Sequence, residues 1–301
     1  MKLYEVLINM KVIFIFIDGV GIGNKDKETN PIYATESLIL ASLIEQARFQ
    51  ADASLGVEGL PQSATGQTSI FTGVNAPAVL NRHLSGQPTE TLREIISHGN
   101  LFSELKNMGL KVASANVYRD EYLVKMLDLS DRRNRPSVTS VMGMSVDIKF
   151  KTVADFVNSN GVYHDITGEI LKESDYNVEL ISPKKAAQNL YRLSKENDFT
   201  LFEHFMTDIA GHKAEMESAI SIIETVDSFL AELTSLMNFE EDVLIITSDH
   251  GNIEDCSVQT HTMNKVPVII LGKKADAINM RINSLVDIMP FVIELFTCYK
   301  E

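Results

Sequence analysis

The chain has 301 residues, with 27 Lys and Arg against 41 Asp and Glu, a formal charge of −14. With 45% apolar and 23% charged residues it reads as a globular protein long enough to bury a full core, and the acidic balance argues against nucleic acid as a partner. Its two cysteines, Cys256 and Cys298, exclude a disulfide-stapled scaffold and a Cys-rich zinc fold and fit a reduced, cytoplasmic setting.

The first apolar run is VIFIFI (12–17). It is too short to span a bilayer and leads straight into Asp18 and Gly19 with no small-residue cleavage site, so it predicts a buried strand rather than a membrane anchor or signal peptide. KVASANV (111–117), FTLFEHF (199–205), DVLIIT (242–247) and VPVIILG (266–272) are similar short, continuous runs, the pattern of strands covered on both faces. Helical patterns lie between them. One covers 101–108 and stops at Gly109. A second covers 213–236, with Met216, Ala219, Ile220, Ile223, Val226, Phe229, Leu230 and Leu233 on one stripe, and a third covers 283–297. This alternation predicts an α/β sandwich around a mainly parallel sheet. Residues 119–195 are more polar and less periodic, and read as a small cap-like insertion or elaborated crossover within a single domain spanning 1–301.

Candidate chemistry sits at the ends of the predicted strands, where open α/β sheets gather their sites. Asp18 follows the first strand; its alternative is a turn Asp before Gly. The GVGIG that follows lacks the spacing of a dinucleotide fingerprint. Ser63, in GLPQSATGQTSIFTG (59–73), is placed to open a helix, where free N–H groups favour phosphate, or to serve as an ordinary N-cap. Asp208 and His212 in TDIAGH share one face of a helix and can share a metal, or be a capping Asp and a surface His. Asp249 and His250 end the DVLIIT run, and His261 precedes the VPVIILG run. An Asp/His set suits Zn²⁺ or Mn²⁺ better than Ca²⁺. His83, His98, His164 and His204 fall outside the pattern, and His204 reads as structural.

FIDGVGIG, SATGQTSIFTG, DIAGH, TSDHGNIED and HTMNKVP, in that order, with SLVDIMPFVIELF (284–296) near the end, resemble the alkaline phosphatase superfamily, in particular its branch of cofactor-independent phosphoglycerate mutase and phosphopentomutase. The resemblance implies a three-layer sandwich carrying two divalent metals. One would be held by Asp18, Asp249 and His250 with the Ser63 oxygen, the other by Asp208, His212 and His261. Register implies Ser63 as nucleophile, since Gly66, Gln67 and Ile70 keep the superfamily's spacing from it; Thr65 is the second choice. Gln67 departs from the His of the mutases. Arg119, Arg132, Arg133 and Arg135 are candidate substrate-phosphate ligands, with a solvated loop as their alternative. The expected activity is hydrolysis of a small phosphorylated metabolite through a phosphoserine. The alternatives are a phosphomutase with a reduced cap, since 119–195 is shorter than the mutase caps, and a metal-binding protein without turnover.

Overall fold

The computed structural model describes residues 10–128 and 135–299. Its strands are β1 (Val12–Ile17), β2 (Phe49–Ala51), β3 (Val112–Ser114), β4 (Val117–Tyr118), β5 (Lys151–Thr152), β6 (Phe199–His204), β7 (Val243–Thr247) and β8 (Val266–Leu271). Six of them form one sheet in the order β2-β8-β7-β1-β6-β3. β1 runs parallel to β6 and β7, and β3 parallel to β6; β8 is antiparallel to both β7 and β2.

Strand alternation explains why the sheet is covered on both sides. All of β1 is buried. Val12, Phe14 and Phe16 point into one apolar cluster, where they meet Phe71, Phe102 and Phe291 from the helices Ser63–Thr72, Leu101–Asn107 and Ile288–Thr297. Ile13, Ile15 and Ile17 point into the other, with Leu40, Leu190 and Phe229 from the helices Ile39–Glu45, Pro183–Ser194 and Met216–Leu236. The result is the expected α/β architecture with a mainly parallel central sheet between helical layers.

The boundaries differ from the sequence reading in three places. β2 was not expected: it is a three-residue edge strand, paired Phe49↔Val268, too short to show a period. The helix expected over 213–236 begins three residues later, as Met216–Leu236; Lys213 instead ends the preceding helix, Met206–Lys213, and the two are separated at Ala214, whose φ of 52° cannot continue a right-handed helix. The run 111–117 leaves the main sheet after Ser114 and re-enters pairing as β4, which lies parallel to β5 in a second, two-stranded sheet. Asn116 makes that transition rigid, donating to Glu203 O at 2.7 Å and accepting from Glu203 N at 2.8 Å.

Within 119–195, the helix Val138–Met144 adds Val138, Val141 and Met142 to the first cluster, and Pro183–Ser194 joins the second. Between them Val153, Phe156, Tyr163, Leu171 and Val178 form a small cluster with Val117 of β4. No helix among the described residues is long and apolar enough to cross a membrane.

Candidate active site

The carboxyl ends of β1, β6 and β7 lie side by side, and the elements that leave them carry the candidate ligands. Asp18 follows β1, Asp249 and His250 follow β7, and Asp208 and His212 sit one turn apart on the helix that begins at Met206, just after β6. Two groups result: Asp18, Asp249 and His250, and Asp208, His212 and His261, each with its ligand-type atoms within 4.8 Å of one another. In the first, His250 Nε2 lies 3.2 Å from Asp18 Oδ1 and 3.6 Å from Asp249 Oδ2, and all three residues are buried. In the second, His261 Nε2 lies 3.4 Å from Asp208 Oδ1 and His212 Nε2 3.5 Å from Asp208 Oδ2, with His212 exposed. The groups touch where the His250 and His261 rings stack at 3.7 Å.

Both groups have the electrostatics of cation sites. Pro61 O lies 2.7 Å from His261 Nδ1, and Gln259 O lies 3.0 Å from His212 Nδ1. A carbonyl accepts only from N–H, so each neutral ring keeps its proton on Nδ1 and presents a lone pair at Nε2. Those two Nε2 atoms face each other at 3.1 Å, an arrangement that a shared cation between them relieves. In the other group, burial raises the Asp18 carboxyl well above the usual carboxylate range, and the Asp208 and Glu203 charges add to it. Burial, then the Asp18 charge, does the same to Asp249. Acids this close and this dry ionise together only with positive charge supplied. Asp18 Oδ1 is buried and, beyond its approach to His250, has no hydrogen-bond partner among the described residues. The donor set therefore fits two divalent ions.

Of the four hydroxyls in SATGQTS, one faces this cluster. Ser63 opens its helix, with Gln62 at the N-cap position, so Ser63 is not the cap itself, and its Oγ lies 3.0 Å from His250 Nε2. Thr65 donates to Gln62 O and accepts from Leu84 N. Thr68 and Ser69 donate back to Ala64 O and Thr65 O within the helix. Gln67 was singled out only as a departure from a motif, yet its side-chain amide donates to Asp18 Oδ2 at 3.1 Å and Asp249 Oδ2 at 3.4 Å. Asn252, which the sequence reading left without a role, donates to Asp208 Oδ1 at 2.7 Å.

The cluster opens into a cavity of about 630 Å³, whose lining also includes Tyr118, Tyr122, Tyr163, His164 and Phe205. Arg119 stands exposed on the rim and donates to Ser174 Oγ at 3.2 Å. Arg132 and Arg133 lie outside the described residues, and Arg135 is exposed just before the helix at Val138. Glu203, inside the FTLFEHF strand and unremarked in the sequence, also lines the cavity. Burial pushes its carboxyl up to about 7, although Thr139 donates to it at 2.5 Å and draws it partly back. His204, next to it, is buried with Nδ1 on His164 O at 2.8 Å, and burial lowers it to about 4.

The fold and this pair of ligand groups agree with the chain's relationships. It belongs to the Metalloenzyme superfamily, whose sequence pattern matches residues 10–300. Within it, the chain is similar to 2,3-bisphosphoglycerate-independent phosphoglycerate mutases. The match to that of Mycoplasmopsis pulmonis is 25% identical over 231 residues, 75% of this chain and 42% of the other. The match to that of Desulforudis audaxviator is 29% identical over 104 residues, 33% of this chain and 20% of the other. The chain thus aligns with less than half the length of these curated relatives. Its fold is similar to that of the alkaline phosphatase from the Antarctic bacterium TAB5, with a TM-score of 0.58 at 14% identity, covering 97% of this chain and 99% of the other. The resemblance read from the motifs is borne out at the level of superfamily and fold.

Proposed function

We propose that this protein is a two-metal phosphoryl-transfer enzyme that hydrolyses a small phosphorylated metabolite through a phosphoserine at Ser63. The observation that carries the reading is the position of Ser63 Oγ, 3.0 Å from His250 Nε2, at the junction of two three-residue ligand groups. Asp18, Asp249 and His250, with Ser63 Oγ, would hold one ion; Asp208, His212 and His261 would hold the other. Zn²⁺ and Mn²⁺ both suit this set. When bound, the ions make the serine hydroxyl a better nucleophile and offset charge on the phosphoryl oxygens.

The chain's own groups do the rest. Ser63 attacks phosphorus: its Oγ–P bond forms as the ester P–O bond breaks, and the proton that the hydroxyl gives up is balanced by the one the departing oxygen takes up. The Gln67 amide donates to both Asp18 and Asp249 and so ties the two carboxylates together. Arg119 at the rim is placed to meet an anionic part of the substrate, and Tyr118, Tyr122, His164 and Phe205 offer flat faces to its organic part. Water then takes the phosphoryl group from Ser63.

The names of the relatives favour a second reading, in which the acceptor is another hydroxyl of the substrate and the reaction is an isomerisation. The small cluster around Val153, Phe156, Tyr163 and Leu171, between the two core helices of this region, would act as a reduced cap in either case. A screen of phosphorylated metabolites with the Mn²⁺- and Zn²⁺-loaded protein separates the two: free phosphate supports the hydrolase, a positional isomer of the substrate supports the mutase, and neither product with any ester rejects both.

A further inference from the structure

Glu254 takes no part in the chemistry above, yet its carboxylate receives more hydrogen bonds than any ligand of the cluster. Oε2 accepts from Gly21 N at 2.9 Å and Asn252 N at 2.7 Å. Oε1 accepts from Thr262 Oγ1 at 2.5 Å and Asn264 Nδ2 at 3.0 Å. The residue is 2% exposed. Four donors on two oxygens match the acceptor capacity of a carboxylate, and an amide would turn an N–H₂ toward two of them.

The four donors come from three separate segments, and each segment carries ligands. Gly21 lies in the loop that leaves Asp18. Asn252 lies two residues past His250, and its side chain donates in turn to Asp208 O and Asp208 Oδ1. Thr262 and Asn264 lie one and three residues past His261. The backbone is shaped around the carboxylate as well. A Cβ added at Gly21 would stand 2.2 Å from Glu254 Oε1, and one added at Gly251 would stand 2.1 Å from it. Side chains at those positions would expel the carboxylate, so both glycines serve its approach.

We infer that Glu254 is a positioning residue that holds the loops of both ligand groups in register, so that its loss weakens both cation sites at once. The inference rests on reading the two groups as cation sites. It differs from what any single ligand would do, because removing His261 or Asp249 takes a donor from one group only.

The test is calorimetric titration of Mn²⁺ into the chelator-stripped full chain, as wild type, Glu254→Gln and Thr262→Val, with the thermal midpoint of each stripped protein recorded in parallel. The expected result is two sites in the wild type and a loss of about 10–100-fold in affinity at both in Glu254→Gln. Thr262→Val, which removes one donor and nearly keeps the volume, gives a smaller loss, again at both sites, and so carries the same test if Glu254→Gln does not fold. Turnover at saturating Mn²⁺ returns to within a few-fold of wild type. A loss confined to one site, or a lowered midpoint with unchanged Mn²⁺ affinity, overturns the inference. A wild type that binds neither Mn²⁺ nor Zn²⁺ refutes the cation reading itself, and the inference falls with it.

Discussion

Glu203 gives a stability prediction with a definite sign. Its ordinary value of 4.5 rises to about 7 in the folded chain because burial penalises the charge more than the Thr139 hydrogen bond favours it. Below pH 4.5 the carboxyl is protonated in both folded and unfolded chains and makes no difference. As pH climbs from 4.5 to 7 the unfolded chain ionises and the folded chain does not, so the unfolded state gains and stability is lost; above 7 the loss is complete. The interval is worth about 3 kcal/mol, as an order of magnitude. Glu203→Gln keeps an acceptor for Thr139 and removes the titration, and it also relieves Asp18, which Glu203 pushes in the same direction. In chelator-stripped protein, the stability of Glu203→Gln relative to wild type should therefore increase by about 3 kcal/mol between the acid and alkaline ends of a denaturant series from pH 5 to 8.5. A difference that is flat with pH, or that shrinks as pH rises, refutes the reasoning.

Three further outcomes follow from the site and core. Ser63→Ala should abolish the phosphoenzyme and lower turnover by at least about 10³-fold, while calorimetry still finds bound Mn²⁺; full retained activity would move the nucleophile to Thr65 or Thr68. His261→Ala should weaken one cation site and leave the other within a few-fold, and unchanged occupancy of both by metal analysis would remove His261 from the ligand set. Phe14→Ala should cost about 3–5 kcal/mol in denaturant unfolding, because Phe14 is fully buried with the rings of Phe71 and Phe199 each 5.9 Å away; a loss under about 1 kcal/mol would mean the sheet face is not packed as described.

What the sequence made legible was whatever has a local signature. VIFIFI declares a strand covered on two sides, and the chain places Val12 and Ile13 on opposite faces as the alternation requires. TDIAGH declares a shared helix face because its two ligands are one turn apart. Roles assembled from distant segments left no such trace. Glu203 was hidden in an apolar run, since its environment is made by Thr139 and Asn116 from elsewhere in the chain. Glu254 stands inside TSDHGNIED with no role that its neighbours in sequence reveal, because three of its four donors, on Gly21, Thr262 and Asn264, lie in other segments. The break at Ala214 was equally silent: alanine is a strong helix former, yet it stands at φ 52° as a left-handed C-cap, its N–H donating to Ala210 O and Gly211 O.

The central claim, that phosphoryl groups pass through Ser63, is tested most directly by acid-quenching the Mn²⁺-loaded protein during turnover of a phosphoester and mapping the phosphopeptide by mass spectrometry. A single phosphoryl group is expected on the peptide containing Ser63, and none on that peptide of Ser63→Ala. A phosphoryl group on Thr65 or another residue, or turnover with no phosphopeptide at any quench time, would contradict it.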